Sequence, residues 1–185
     1  GINVEDVALG IGLDSRIGGR FLRAGPAYGG SCFPKDTKGL VSVADKYKTN
    51  LSIVKAVIKS NKERVNILTK RVHKILGKNL KGKKIGILGV TFKPNTDDMR
   101  DSTSLKMIPY LCKKGSIVSY YDPSGEKKEF NKLSNCEFKK NIKECFLKVD
   151  LIILLTEWDE FKSIDFKKTV KKKNFKIYDL RNIYT

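Results

Sequence analysis

The pattern of apolar and polar residues is most regular between residues 51 and 76, where apolar side chains recur every three or four positions. This spacing predicts one helix with a single apolar stripe, about 39 Å long at ~1.5 Å per residue. Gly77 predicts its end, and Asn61 interrupts the stripe. The residues of the stripe are Val54, Val57, Ile58, Val65, Leu68, Val72, Ile75 and Leu76.

Short apolar runs replace this periodicity after about Lys81. A helix is expected after the first run, capped by Asp101 or Ser102 and closed by Gly115. Alternating strands and helices predict βαβ units in a doubly wound parallel sheet, which binds ligands at the carboxyl ends of its strands. The predicted strands are residues 85–88, 117–121, 151–155 and 175–178.

The segment before the long helix contains a predicted short helix at residues 4–9, a glycine-rich loop and a second helix at residues 34–46. We therefore predict an α/β protein with two parts. Residues 1–80 form a helical region that includes the long connecting helix, and residues 81–185 form a Rossmann-like domain.

Composition narrows the function classes. The formal net charge is +18, from 38 basic and 20 acidic residues, but the lysines are spread along the chain instead of gathering with aromatic residues. We therefore expect no nucleic-acid partner. No apolar run approaches the roughly 20 residues that span a bilayer, so we expect no membrane partner and a cytoplasmic location. The four cysteines include no C-x-x-C pair, and one histidine is present, so no metal site is expected.

Candidate chemistry centres on Cys32, which lies between a glycine pair and Pro34. Pro34 is typical of a first helical turn, and the N-terminus of a helix favours a thiolate. Lys35 adds positive charge, and Asp36, one turn from the sulfur, can orient the water that hydrolyses a thioester on Cys32. A small packing cysteine, a glycine turn and an aspartate that complements the helix are the plainer alternative.

The order of motifs resembles the UDP-glucose dehydrogenases along essentially the whole chain. No G-x-G-x-x-G pattern occurs, however, although members of that family begin with a dinucleotide-binding domain opened by such a turn. We therefore expect the central and C-terminal portion of a larger enzyme. The matching segments are residues 12–18, 21–25, 28–36, 85–89, 91–102, 121–123, 156–158 and 179–181.

The resemblance implies oxidation of UDP-glucose by NAD in two steps, through a thiohemiacetal and a thioester on Cys32, with Asp36 acting on water. It also implies that Lys35 and Arg100 contact NAD. Arg16 would reach the substrate of a neighbouring subunit, and the long helix would pack against its twin in a homodimer. The residues implied to bind UDP-glucose within the subunit are Phe21, Leu22, Arg23, Gly29, Phe33, Lys93 and Arg181.

Two alternatives stay open. Gly25-Pro26-Ala27 stands where related loops usually have Gly-x-Gly, and the alanine there is similar to the GDP-mannose dehydrogenases. The second alternative is that the chain is a nucleotide-binding module without catalysis. The basic residues beyond the predicted strand ends have a plainer role as well, in surface ion pairs with neighbouring aspartates.

Overall fold

The computed structural model describes residues 2–19 and 21–184. Its N-terminal part contains three helices, α1 (Val4–Gly12), α2 (Cys32–Lys46) and α3 (Ser52–Leu76). The predicted long helix is confirmed over 25 residues and ends before Gly77, whose φ of 95° suits glycine. Helix α1 buries none of its residues.

The C-terminal part is a five-stranded sheet in which all pairs of neighbouring strands are parallel, in the order β3-β2-β1-β4-β5. This order confirms the predicted α/β, Rossmann-like fold. Two 3₁₀ turns, Lys128–Phe130 and Asp159–Ser163, lie in the connections. The elements are β1 (Lys84–Leu88), α4 (Ser104–Lys113), β2 (Ile117–Tyr121), β3 (Cys136–Phe138), α5 (Ile142–Cys145), β4 (Leu151–Leu154), α6 (Phe166–Thr169) and β5 (Lys176–Asp179).

Two apolar clusters cover the two faces of the sheet. The C-terminal half of α3 packs on one face together with α4, and it buries Leu68 and Val72 completely. The other face packs against Phe146, Phe161 and Phe166. Helix α3 therefore runs from the sheet core to the glycine-rich loop, which makes it the physical connection between the two parts of the chain.

Two local expectations were wrong. Strand β3 was not predicted, because it has three residues at the sheet edge and no apolar run. Thr103, and not Asp101 or Ser102, is the N-cap residue of α4. The Ser102 hydroxyl is used elsewhere, since it donates to the Val90 carbonyl at 2.6 Å and so ties the start of α4 to the end of β1.

Candidate active site

Cys32 is the first residue of α2 and its thiol is exposed. Pro34 is buried and anchors the first turn of the helix. The N-cap residue Ser31 makes no side-chain cap hydrogen bond, and its hydroxyl instead lies 3.7 Å from the Cys32 sulfur. The positive end of the helix dipole and an exposed thiol therefore coincide at the start of α2.

Two charged side chains and one aromatic side chain share the first turn of α2 with this thiol. Lys35 and Asp36 are exposed, and Lys35 Nζ lies 3.4 Å from Asp36 Oδ1. A surface ion pair of this kind contributes little to the free energy of unfolding. Phe33 is also exposed, and its ring centroid lies 6.2 Å from that of Tyr28. The predicted cluster of Cys32, Lys35 and Asp36 thus faces outward, where a ligand can reach it.

Gly29 and Gly30 allow other groups to lie very close to the main chain. In this structure those groups belong to the chain itself. A Cβ atom at Gly29 would lie 2.6 Å from the Asp101 carbonyl oxygen, and one at Gly30 would lie 2.6 Å from the Phe92 ring. Gly30 also has a φ of 84° and donates from its N–H to the Arg100 carbonyl at 2.8 Å. The glycine pair therefore packs the cysteine loop against the segment that follows β1.

Arg100 lies near Cys32 as a consequence of this packing. It forms an ion pair with Asp98, with Nη2 and Oδ2 2.8 Å apart. Hydrogen bonding and charge attraction to Asp98 raise the pKa of Arg100, and the negative charge of Cys32 contributes a smaller increase. The same hydrogen bond lowers the pKa of Asp98, which a small burial effect opposes. Asp98 thus holds the Arg100 guanidinium in place near Cys32.

Arg181 is the buried cation of the region, with 13% of its side chain exposed. It donates to the Leu155 carbonyl at 2.7 Å and to the Phe92 carbonyl at 3.1 Å. Glu157 Oε2 lies 2.9 Å from Nε but outside a hydrogen-bonding direction, so that contact is ionic. Burial lowers the pKa of Arg181, while the charges of Glu157 and Asp179 oppose this effect.

Arg181 also lines a cleft of about 320 Å³ together with Arg23, Glu157 and Lys162. A neighbouring cleft of about 260 Å³ shares Arg23 and is lined by Leu22. Phe21 is 88% exposed beside them in sequence. Of the predicted strip of residues 21–23, Arg23 therefore lines the cleft that holds the buried cation, at the carboxyl edge of the sheet, and Leu22 lines the neighbouring cleft.

The structure separates the remaining predicted residues. Lys93 is exposed, with its ammonium 5.4 Å from the centre of the Phe92 ring. The Arg16 side chain is 87% exposed, and its Nη2 lies 2.6 Å from Asp14 Oδ2. In the sequence, this pair precedes all the groups described above. Within this chain Arg16 therefore has a local ion pair.

Phe92 is the residue of the site that sequence reasoning missed. Its ring fills the space over Gly30, its carbonyl accepts from Arg181, and its ring lies below the Lys93 ammonium. It thus connects the thiol end of the site with the Arg181 cleft. The sole signal was its place between a strand and Lys93 inside a matching motif, because its contacts with Gly30 and Arg181 are distant in sequence.

Comparison with known proteins agrees with this arrangement. Residues 1–63 match the central domain of the UDP-glucose/GDP-mannose dehydrogenase family, and residues 86–185 match its UDP-binding domain. The chain belongs to this family. Its UDP-binding part is the sheet whose carboxyl edge carries the Arg181 cleft, so a nucleotide sugar is the class of ligand that the family indicates.

Individual relatives support the assignment. The chain is 43% identical to the UDP-glucose 6-dehydrogenase of Rhizobium meliloti (strain 1021), covering 100% of this chain and 42% of that protein. It is 41% identical to the UDP-glucose 6-dehydrogenase of Rickettsia typhi, covering 99% and 43%. A solved UDP-glucose dehydrogenase from Pyrobaculum islandicum superposes with a TM-score of 0.87 at 29% identity, covering 99% and 41%.

The chain therefore spans about 42% of the length of a curated relative that it matches. In residues 2–19 and 21–184, no helix is long and apolar enough to cross a membrane. The same described residues contain no group of three or more histidine, cysteine, aspartate or glutamate side chains arranged to hold a metal ion.

Proposed function

We propose that this chain supplies the nucleophile and the UDP-sugar site of an NAD-dependent UDP-glucose 6-dehydrogenase. The observation that carries the proposal is the exposed Cys32 thiol at the N-terminus of α2, with the Arg100 charge beside it. A thiolate so placed can trap an aldehyde covalently, so that a second oxidation gives a thioester that water hydrolyses to an acid. The activity belongs to a protein of the family's full length.

In the proposed reaction, the C6 alcohol of UDP-glucose loses a hydride and a proton to give an aldehyde. The Cys32 thiolate then adds to the aldehyde carbon to form a thiohemiacetal, which loses a second hydride to become a thioester. Asp36 orients and deprotonates the water that hydrolyses the thioester, releasing UDP-glucuronate and restoring the thiol. Two molecules of NAD, bound in turn, would each accept one hydride.

The residues around Cys32 fit a dinucleotide. Lys35 and Arg100 are exposed cations next to the exposed thiol, as an anionic cofactor requires. Asp98 holds the Arg100 guanidinium through bonds to Nε and Nη2 and leaves part of the fork for another anion. In this proposal Lys35 and Arg100 contact NAD, whose main binding domain lies outside the residues of this chain.

The sugar nucleotide is proposed to lie along the strip of residues 21–23, with its glucose beside Gly29 and Phe33. Lys93 and Arg181 supply positive charge toward the diphosphate. Arg181 is suited to this role because its position is fixed by two carbonyl groups and Glu157, so little side-chain entropy is lost on binding.

A homodimer is part of the proposal. Helices α2 and α3 present large exposed apolar side chains, which include Leu40 and Val43 on α2 and Ile53 and Val57 on α3. Contiguous exposed apolar surface of this kind is typical of an interface. A second copy packed along α3 would cover it, and Arg16 would then reach the substrate of the partner.

Calorimetric titration of the chain with UDP-glucose and GDP-mannose tests the ligand. Saturable binding that prefers UDP-glucose supports the proposal, whereas a preference for GDP-mannose would move the chain to that branch of the family, as Ala27 suggests. Binding that is unaffected by Arg181→Met would contradict the placement of the diphosphate. The matched control is Arg71→Met, at an exposed arginine on α3.

The chemistry is tested in an enzyme of full family length that contains this chain. Cys32→Ser should abolish formation of UDP-glucuronate, because a hydroxyl is far less nucleophilic than a thiolate. Cys136→Ser makes the same change at a half-buried strand residue and should leave the acid yield intact. Undiminished acid from Cys32→Ser would overturn the thioester mechanism and leave the thiol without a catalytic role.

A further inference from the structure

Asn61 is the one polar interruption of the apolar stripe on α3, and the structure gives it two partners on a single residue. Its side-chain oxygen accepts from the Tyr28 N–H at 3.0 Å, and its side-chain N–H₂ donates to the Tyr28 carbonyl at 3.0 Å. An amide is the side chain that offers a donor and an acceptor side by side. Asn61 therefore clamps the main chain of Tyr28 from both directions.

Arg64 extends this attachment to the preceding residues. It lies nearly one turn further along α3 and donates from Nε to the Pro26 carbonyl at 3.0 Å. The segment of residues 26–28 has no helix or strand hydrogen bonds of its own. Side chains from α3 therefore replace the regular backbone pairing that this part of the loop lacks.

The opposite side of the same loop is held by the segment after β1. The Gly30 N–H donates to the Arg100 carbonyl at 2.8 Å, and Gly29 packs directly against the Asp101 carbonyl. Cys32 follows two residues later. The loop is thus fixed at Tyr28 by α3 and at Gly30 by the Arg100 segment, and these two attachments set where α2 and its thiol begin.

We propose that Asn61 is a positioning residue for Cys32, because its clamp on Tyr28 places the thiol beside Arg100. The inference rests on the proposed function of Cys32 as the nucleophile. Loss of the clamp frees both main-chain groups of Tyr28, and the loop moves away from the Arg100 segment. The thiol then loses the neighbouring cation and its alignment with the substrate carbon.

The test compares Asn61→Leu with Asn66→Leu, an identical and uncharged change at an exposed asparagine of the same helix. Alkylation of Cys32 is followed by peptide mass spectrometry with anionic iodoacetate and with neutral iodoacetamide. The ratio of the two rates reports the positive charge near the sulfur. We expect Asn61→Leu to lower this ratio by about two- to fivefold, the size of one nearby charge in water, and Asn66→Leu to leave it unchanged.

A second readout uses the enzyme of full family length. Misplacement of a reacting group by about 1 Å costs up to 10²-fold in rate, so Asn61→Leu should lower kcat at least about tenfold with KM for UDP-glucose within about twofold. Where Asn61→Leu does not fold, Asn61→Asp replaces it, because the carboxylate keeps the acceptor for the Tyr28 N–H and loses the donor. Asn66→Asp is then the control that matches its charge.

An unchanged reagent ratio and an unchanged kcat, with a lowered unfolding midpoint, would overturn the proposal and leave Asn61 a structural residue. The alkylation assay needs neither substrate nor turnover. It therefore separates failure of this inference from failure of the proposed function, which the acid yield of Cys32→Ser decides alone.

Discussion

Gly29→Ala tests the contact between the cysteine loop and the segment after β1. The new Cβ would lie 2.6 Å from the Asp101 carbonyl oxygen and 3.2 Å from the Phe92 Cβ. A main-chain oxygen and a Cβ atom cannot rotate aside as the end of a flexible side chain can. The loop or the Asp101 segment must therefore shift.

The expected cost follows from two contributions. Forced repacking of a tight contact costs typically 1–3 kcal/mol, and weakening of the adjacent Gly30–Arg100 hydrogen bond adds about 1 kcal/mol. The lower entropy of the unfolded alanine chain offsets about 0.4–1 kcal/mol of this. We expect a net loss of roughly 1–3 kcal/mol in the free energy of unfolding.

Urea unfolding of the chain measures this loss. With a slope of about 2 kcal/mol/M, the midpoint should fall by roughly 0.5–1.5 M. Gly39→Ala is the matched control, because Gly39 lies within α2 with nothing near its Cβ position. That change should raise stability by about 0.5–1 kcal/mol. A Gly29→Ala midpoint equal to or above that of the parent, with the control behaving as expected, would refute the close contact.

Arg181→Lys should lower the free energy of unfolding by about 2–3 kcal/mol, because a lysine cannot keep both carbonyl contacts. Thermal unfolding measures this loss. The control is Arg16→Lys at an exposed arginine, which should stay within about 0.5 kcal/mol of the parent. Hydrogen bonding from Arg100 lowers the pKa of Asp98, so this pair stabilises the fold above about pH 4 and is lost as the pH falls through the lowered value. Carboxyl NMR should show the Asp98 pKa return toward about 3.9 in Arg100→Gln, and no change would contradict the pairing. Burial raises the pKa of Tyr120 to about 12, so its contribution is full below about pH 10 and is lost as the pH approaches 12. Tyr120→Phe should remove this alkaline loss in unfolding titrations, and an unaltered alkaline profile would count against it.

The sequence predicted those helices and strands whose positions depend on the pattern of neighbouring residues. The three-and-four spacing in α3 and the apolar runs of β1, β2 and β4 are properties of neighbouring residues, so their positions follow from the sequence. Strand β3 has the sequence Cys136-Glu137-Phe138 and is a strand because β2 pairs with it. A pairing between distant segments of this kind leaves no periodicity to detect.

The candidate site likewise combines residues that the sequence predicted with contacts that it did not. Cys32, Lys35 and Asp36 lie within the first five residues of α2, and their motif predicted a cluster at the start of a helix. Nothing in the motif indicated that the glycine pair packs against Phe92 and Asp101, because those contacts depend on how the two parts of the chain meet. Asn61 was visible as an interruption of a stripe, but its partner could be found only in the folded chain.

Helix α3 explains how these separate contacts produce one site. Its C-terminal half is fixed in the sheet core by Leu68 and Val72, which are fully buried, while Asn61 on its other half holds the main chain of Tyr28. Helix α3 therefore holds the cysteine loop against the sheet from one side, and the hydrogen bond from the Gly30 N–H to the Arg100 carbonyl holds it from the other. The start of α2, and with it the Cys32 thiol, is placed by both attachments together.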